Sequence, residues 1–508
     1  MIPKDTQQAM AQWLAQATPP EQQLDRRWIE RYRELNSHDS FWWLSWAGSF
    51  TREEQQQWDR LFQPPIGEAT KEQLGSLLKQ SSERELEAAL AEQREPRLHY
   101  PAIEIDDVCR RIASLVELDA EIEQEEPNSV VRLLYHGAIE EETNYLRIIE
   151  ATYEANTERF WEFNRLVFPE PTPDEMGYAL SWVRRLLRQG FEQSETAESS
   201  QELLSFIQDQ LHLSLDLSVG KNDLPVTHEL PPSTPRRVSV DVARRFYEAV
   251  LREGGYQGWQ VSIDTTGSDV TRVEWGLRQL ILAEETFTIE GIRHLLAHEL
   301  AGHVARSFAG EHSPLGLLGI GTQHCSATEE GLALYHERQV VAMHSGFIDN
   351  SGPVSGTLAM GLASGVVTAP QTFSSLCTFI ELFVFLYRRL LRPWREQEKD
   401  RGYAHRYALR RCLRTFRGVP DLEQAGVCYL QDVTYLRGIL QIERAVSKDR
   451  AVLDRLAVGM VAYELLPVLQ PLQIVPPPQP LRDMVNDPEL DQYILSFEAS
   501  GENITKLA

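Results

Sequence analysis

The stretch HELAGH, residues 298–303, sets two histidines five positions apart with a glutamate directly after the first. Zinc hydrolase helices of the H-E-x-x-H kind space their histidines four apart, because positions i and i+4 lie only about 40° apart around an α-helix. Positions i and i+5 lie about 140° apart, so a regular helix would aim His298 and His303 in divergent directions. Two readings stay open on these residues alone. They are packing histidines on an amphipathic helix, or they are metal ligands on a helix wound locally with i→i+5 hydrogen bonds. A π-bulge of that kind takes up one residue and returns the second imidazole to the face of the first. Gly302, inside the motif, resists such a distortion least. The spacing therefore predicts a π-bulge near Leu300 to Gly302, in a helix over 290–308.

Outward from the motif, seven of the thirteen histidines fall in one window, at 294, 298, 303, 312, 324, 336 and 344. A third ligand is available in SATEEGLALYHERQ, 326–339. Ser326 and Glu329 fit an S-x-x-E capping box, which would commit Glu329 to the backbone at a helix start. Glu330, rotated by about 100° on the same helix, is then free to meet a metal. Its alternative reading is an exposed first-turn carboxylate that suits the helix dipole. Two imidazoles and one carboxylate leave a tetrahedral Zn²⁺ one open position, the pattern of a catalytic site. Glu299, beside His298, is the candidate general base. His294, one turn before His298, suits a supporting role, while His324 and Cys325 are weaker alternative ligands. SPLGLLGIG, 313–321, reads as a mobile loop over a cleft.

Before the motif, the Pro-rich LPVTHELPPSTPRR, 224–237, is the strongest internal boundary. WQVSID, DVTRVEW and RQLILAEE, between 259 and 285, have strand character and predict a small antiparallel sheet beside the motif helix. Most of the remaining chain is helical in period. The fold expected is α+β and predominantly helical, with a zincin-like catalytic domain. Four regions are expected: a Trp-rich helical stretch, 1–95; a helical region packing on the catalytic domain, 96–230; the catalytic domain, 231–450; and a C-terminal helix with a Pro-rich acidic tail of little core material, 451–508. The tryptophans before residue 60 read as core rather than as a partner surface.

Composition removes several function classes. With 50 Lys plus Arg against 75 Asp plus Glu, the net charge is −25. That disfavours nucleic acid and anionic membranes as partners, since both attract a basic face. Five cysteines without C-x-x-C spacing read as reduced thiols rather than a disulfide frame. FSSLCTFIELFVFLY, 373–387, carries Glu381 and is too short to span a bilayer, so a buried helix is expected. The opening residues lack the apolar region of a secretory signal, making the cytoplasm the expected location.

HELAGH followed by HVARSFAG and EEGLALY resembles the tyrosine/phenylalanine metallocarboxypeptidase family, which includes microtubule-associated tyrosine carboxypeptidases and bacterial QEGLA proteins. RTFRGVPDLEQAGVCYLQDVTYLRGIL, 414–440, resembles that family's R-G…K-D-x-x-Y-L-x-G segment. The similarity runs from about residue 95 to 445, with the motifs in the family's order. It implies zinc held by His298, His303 and Glu330, Glu299 as base, and a peptide or protein C-terminus as substrate, with Tyr or Phe removed. Arg417, at the family's R-G, is the implied cation for the terminal carboxylate, and Tyr435 the implied donor to the carbonyl oxygen or substrate backbone. Glu329 stands where the bacterial motif usually has Gln. Gln431 stands where a lysine is usual, so one positive charge is missing from that segment. Two other readings stand beside this one: a zinc peptidase or amidase with a different substrate, and a regulatory protein that keeps a structural zinc while its N-terminal helices bind a partner.

Overall fold

The computed structural model describes residues 2–36, 48, 50–62, 68–92, 94–97, 99–100, 105–217, 236–264, 271–344 and 351–502. The Pro-rich break falls outside these as far as residue 235, as do Trp42, Trp43 and Trp46, expected in the core. The described chain is mainly helical, with small sheets between residues 237 and 288.

Two large hydrophobic cores organise it. The first collects helices between 105 and 209 and between 351 and 448, and Trp28, Leu86, Leu315 and Leu469 belong to it too. The second wraps the sheets and the motif helix, through Phe246, Leu280, Leu296 and Phe308. Ile2 and Met10 from the start of the chain and Leu481 to Ile494 from its end join that second core. Residues 1–95 and 451–508 thus each contribute to both cores. The stretch beyond PPPQP corrects the expectation of a tail with little core. It forms helices Pro480–Val485 and Leu490–Glu502, because Leu481, Met484, Val485, Leu490 and Ile494 recur at helical spacing and are all buried.

The small sheet also departs from expectation. β1 (Arg237–Val238) pairs antiparallel with β5 (Phe287–Thr288). A separate three-stranded sheet has β4 (Gln279–Leu282) at its centre, antiparallel to β3 (Arg272–Glu274) but parallel to β2 (Gln260–Ile263). The sheet is therefore mixed rather than antiparallel. Alternation of apolar residues reports which face of a strand is buried, and it carries no information about neighbour order. Leu280 and Leu282, both fully buried, suit the central position. Asp264, at the end of β2, receives Arg272 Nη1 at 2.5 Å and ties the outer strands together.

β5 leads straight into the motif helix, whose N-terminus is capped by the Thr288 hydroxyl accepting from the Gly291 amide at 2.9 Å. SPLGLLGIG is not a mobile loop. Leu315, Leu317 and Leu318 are fully buried, and Asp25 accepts from the Gly316 and Leu317 amides, both at 2.8 Å. The apolar run at 373–387 lies in the largely buried helix Phe373–Leu391. Among the described residues, no helix is long and apolar enough to cross a membrane. All five cysteines are free.

Glycines set how closely the site-bearing helices approach. A Cβ on Gly302 would lie 2.8 Å from the Cβ of Ala333, so only glycine lets the motif helix lie this close on helix Cys325–His344. On its other side, that helix crosses helix Val433–Lys448 with Gly331 against Gly438. A Cβ on Gly331 would sit 2.3 Å from the Gly438 carbonyl carbon. These contacts bring Glu330 and Tyr435, each near a crossing glycine, into one neighbourhood.

Candidate metal centre

The motif helix runs as α-helix Ile289–Leu295, π-helix Leu296–Val304 and α-helix Ala305–Glu311. The Ala305 amide donates to the Leu300 carbonyl, five residues back. The expected bulge is present and extends over more residues than Leu300 to Gly302. It brings the rings of His298 and His303 to 5.1 Å between centroids, at 75° to each other.

One ligand atom from each of His298, His303 and Glu330 lies within 4.8 Å of the others. Glu330 Oε2 is 3.8 Å from His298 Nε2, and it is buried without a hydrogen-bond partner among the described residues. A buried carboxylate oxygen in that state costs free energy unless something positive meets it. Two imidazoles and an orphaned carboxylate oxygen form a donor set that fits a divalent cation such as Zn²⁺.

Each imidazole is oriented from behind. His298 Nδ1 lies 3.2 Å from Glu337 Oε2, and His294 Nδ1 lies 3.4 Å from Glu337 Oε1. His303 Nδ1 lies 3.3 Å from Glu329 Oε2, and the other oxygen of Glu329 accepts from the buried Arg306. In both histidines the carboxylate holds the proton on Nδ1 and leaves Nε2 for a metal, an arrangement that fixes the tautomer and strengthens the ligand. This corrects the capping assignment of Glu329. The helix begins at Cys325, so Ser326 lies inside it, and the Glu329 carboxylate turns to the motif helix instead.

Burial opposes a charged His298, but the Glu337 hydrogen bond and the nearby Glu299 and Glu330 carboxylates outweigh it, raising its pKa to about 9. His303 is raised likewise: burial works against its charge, and the Glu329 hydrogen bond together with the Glu330 and Glu299 carboxylates outweighs it. Burial lifts the Glu299 carboxyl above the usual carboxylate range despite the two imidazoles beside it. That environment suits a group that must both accept and return a proton.

Tyr435 lies beside the cluster. The Glu330 carboxylate is the largest influence raising its phenol pKa, ahead of burial. The Arg414 guanidinium stands 5.9 Å from the centre of its ring. Arg417 is set back from this group: its Nη2 donates to Gln431 Oε1 at 2.6 Å, and its guanidinium stands 4.9 Å from the centre of the Tyr429 ring. The structure thus gathers His298, Glu299, His303, Glu330 and Tyr435, whereas Arg417 belongs to a neighbouring arginine group around Asp432. The rings of Trp275, just after β3, and His303 stand nearly perpendicular with their centres 5.9 Å apart, and the indole N–H is buried with no hydrogen-bond partner among the described residues.

Sequence reading missed Glu329 and Glu337 as supports. A signal for Glu337 was present. It lies seven residues after Glu330, two turns along the same helix face, and His294 and His298, four apart, share a face opposite it. Glu337→Gln is expected to weaken zinc affinity by about 10- to 100-fold while leaving the fold intact. Competition with a chromogenic chelator measures this, and unchanged affinity would remove Glu337 from the site. No family model matches the chain, and no curated protein matches it.

Proposed function

We propose that the protein is a zinc-dependent metallocarboxypeptidase that removes a C-terminal residue, Tyr or Phe, from a peptide or protein. The observation that carries this reading is the ligand set of His298, His303 and Glu330, with both imidazoles oriented by carboxylates and Glu299 alongside. A merely structural site has no use for a neighbouring base. The resemblance in three separated motifs supports the choice of zinc and of a terminal aromatic residue.

A bound Zn²⁺ supplies Lewis acidity and makes hydroxide available near neutral pH. Glu299 takes the proton of the attacking water as the new C–O bond forms. It returns that proton to the amine nitrogen as the C–N bond breaks. The Tyr435 hydroxyl has a hydrogen to give to the carbonyl oxygen or the substrate backbone.

Zinc-loaded protein is expected to release free Tyr or Phe from short peptides, to lose that activity to a chelator and to regain it with zinc. Product analysis by mass spectrometry decides the matter. Internal cleavage, or no release by protein carrying stoichiometric zinc, would overturn the carboxypeptidase reading.

A further inference from the structure

We infer that Arg414 is the residue that receives the substrate's terminal carboxylate, an assignment that rests on the carboxypeptidase reading above. Three arginines, 411, 414 and 417, recur every third residue and gather around one carboxylate, Asp432. Their surroundings differ. Arg411 donates to Asp432 Oδ2, to the Tyr407 hydroxyl at 3.1 Å and to the Gly352 carbonyl at 3.3 Å, and its side chain is 12% exposed. Arg417 is buried against Tyr429 and donates to Gln431.

Arg414 is the outward member. Its Nη2 donates to Asp432 Oδ1 at 2.5 Å, its guanidinium lies 5.9 Å from the centre of the Tyr435 ring, and 44% of the side chain is exposed. Asp432 anchors one edge of the guanidinium, and a planar fork has donors on more than one edge. Helices Cys325–His344 and Val433–Lys448 cross at Gly331 and Gly438, which sets Tyr435, one turn before Gly438, on the Glu330 side of the crossing. Arg414, 5.9 Å from the Tyr435 ring and open to solvent, stands on that side too.

Charge points the same way. Three guanidinium groups face one Asp432, leaving a surplus of two positive charges that a substrate carboxylate would reduce. Burial favours a neutral Asp432, yet Arg414 and Arg411 hold its carboxyl below the usual range. Arg414 is therefore fixed in place before substrate arrives, as bidentate carboxylate recognition requires. Gln431 is neutral and its amide oxygen accepts from Arg417, so it supplies no charge of its own. The cation for the terminus must come from another position.

The test measures binding in the zinc-loaded, full-length Glu299→Gln protein, by calorimetry, with acetyl-Ala-Ala-Tyr as the free carboxylate and as the carboxamide. The carboxylate is expected to bind about 10- to 100-fold more tightly. Adding Arg414→Gln should remove that preference while leaving carboxamide affinity, which reports an intact fold. Arg414→Lys should keep part of it, because a point charge replaces the fork. Arg417→Gln should keep all of it. No preference in the parent protein, a preference that survives Arg414→Gln, or one lost in Arg417→Gln alone would overturn the assignment. Should Arg414→Gln not fold, an undiminished preference in Arg414→Lys overturns it instead. Release of Tyr by the unsubstituted enzyme is scored separately, so failure of the hydrolase reading and failure of Arg414 remain distinguishable.

Discussion

Glu299→Gln is expected to keep full zinc stoichiometry and to lower kcat on peptides ending in Tyr or Phe by about 10²- to 10⁴-fold. The amide has nearly the shape of the carboxylate and cannot take up the water's proton. Glu299 is not one of the three clustered ligands, so its replacement should remove chemistry without removing metal. It sits within the π segment beside His298 and interacts electrostatically with both imidazoles. Elemental analysis and peptide kinetics on the same preparation measure both halves of the expectation. A variant that binds zinc and cleaves like the parent would show the proton-transfer role to be wrong. Loss of metal from the variant would instead make Glu299 a fourth ligand and the site a closed, structural one.

Gly438→Ala should produce the largest loss of stability among conservative changes near the site. A methyl group there would lie 1.8 Å from the Ala327 carbonyl oxygen and 2.8 Å from the Gly331 amide nitrogen. Both neighbours are backbone, so no side-chain rotation relieves the clash and the two helices must separate. Overpacking of this kind costs about 3 kcal/mol or more. Urea unfolding should show a lower midpoint with an unchanged slope. Zinc affinity should fall with it, because Glu330 and Tyr435 ride on the two helices that part. Gly75→Ala provides the contrast: with nothing within 4 Å of its added methyl, it should stabilise helix Glu68–Ala91 by about 0.5–1 kcal/mol. A Gly438→Ala protein as stable as the parent would mean that the close crossing is not needed.

What could be read from the sequence follows from how local each cause is. The histidine spacing in HELAGH admits few helical windings that unite the two rings, so the π segment could be foreseen. Glu330 could be found because it adjoins Glu329 on one helix and points elsewhere. The partner of Glu329 could not. S-x-x-E is a local pattern that fits a cap, and the competing attraction of His303 and Arg306 comes from another helix, more than twenty residues away in sequence. Strand order failed for a similar reason, since β2 reaches β4 past β3. Arg417 was singled out by its motif position, whereas the exposure of Arg414 and its link to Tyr435 depend on how helices Gln397–Thr415 and Val433–Lys448 pack.

Arg293, in the first turns of the motif helix, is almost fully buried by the far end of the chain. It donates to the Val485 and Asp487 carbonyls at 3.0 and 3.1 Å and to Asp491 at 2.7 Å. Truncation just after PPPQP would remove all of these acceptors and would bare the faces of Phe246 and Leu296 that Leu481 to Ile494 cover. A recombinant fragment cut to residues 231–450, the catalytic domain that the motifs alone suggest, is therefore expected to aggregate on expression. The helix that carries His298 and His303 is held from both ends of the chain, and the expressible unit is expected to extend to at least the Leu490–Glu502 helix.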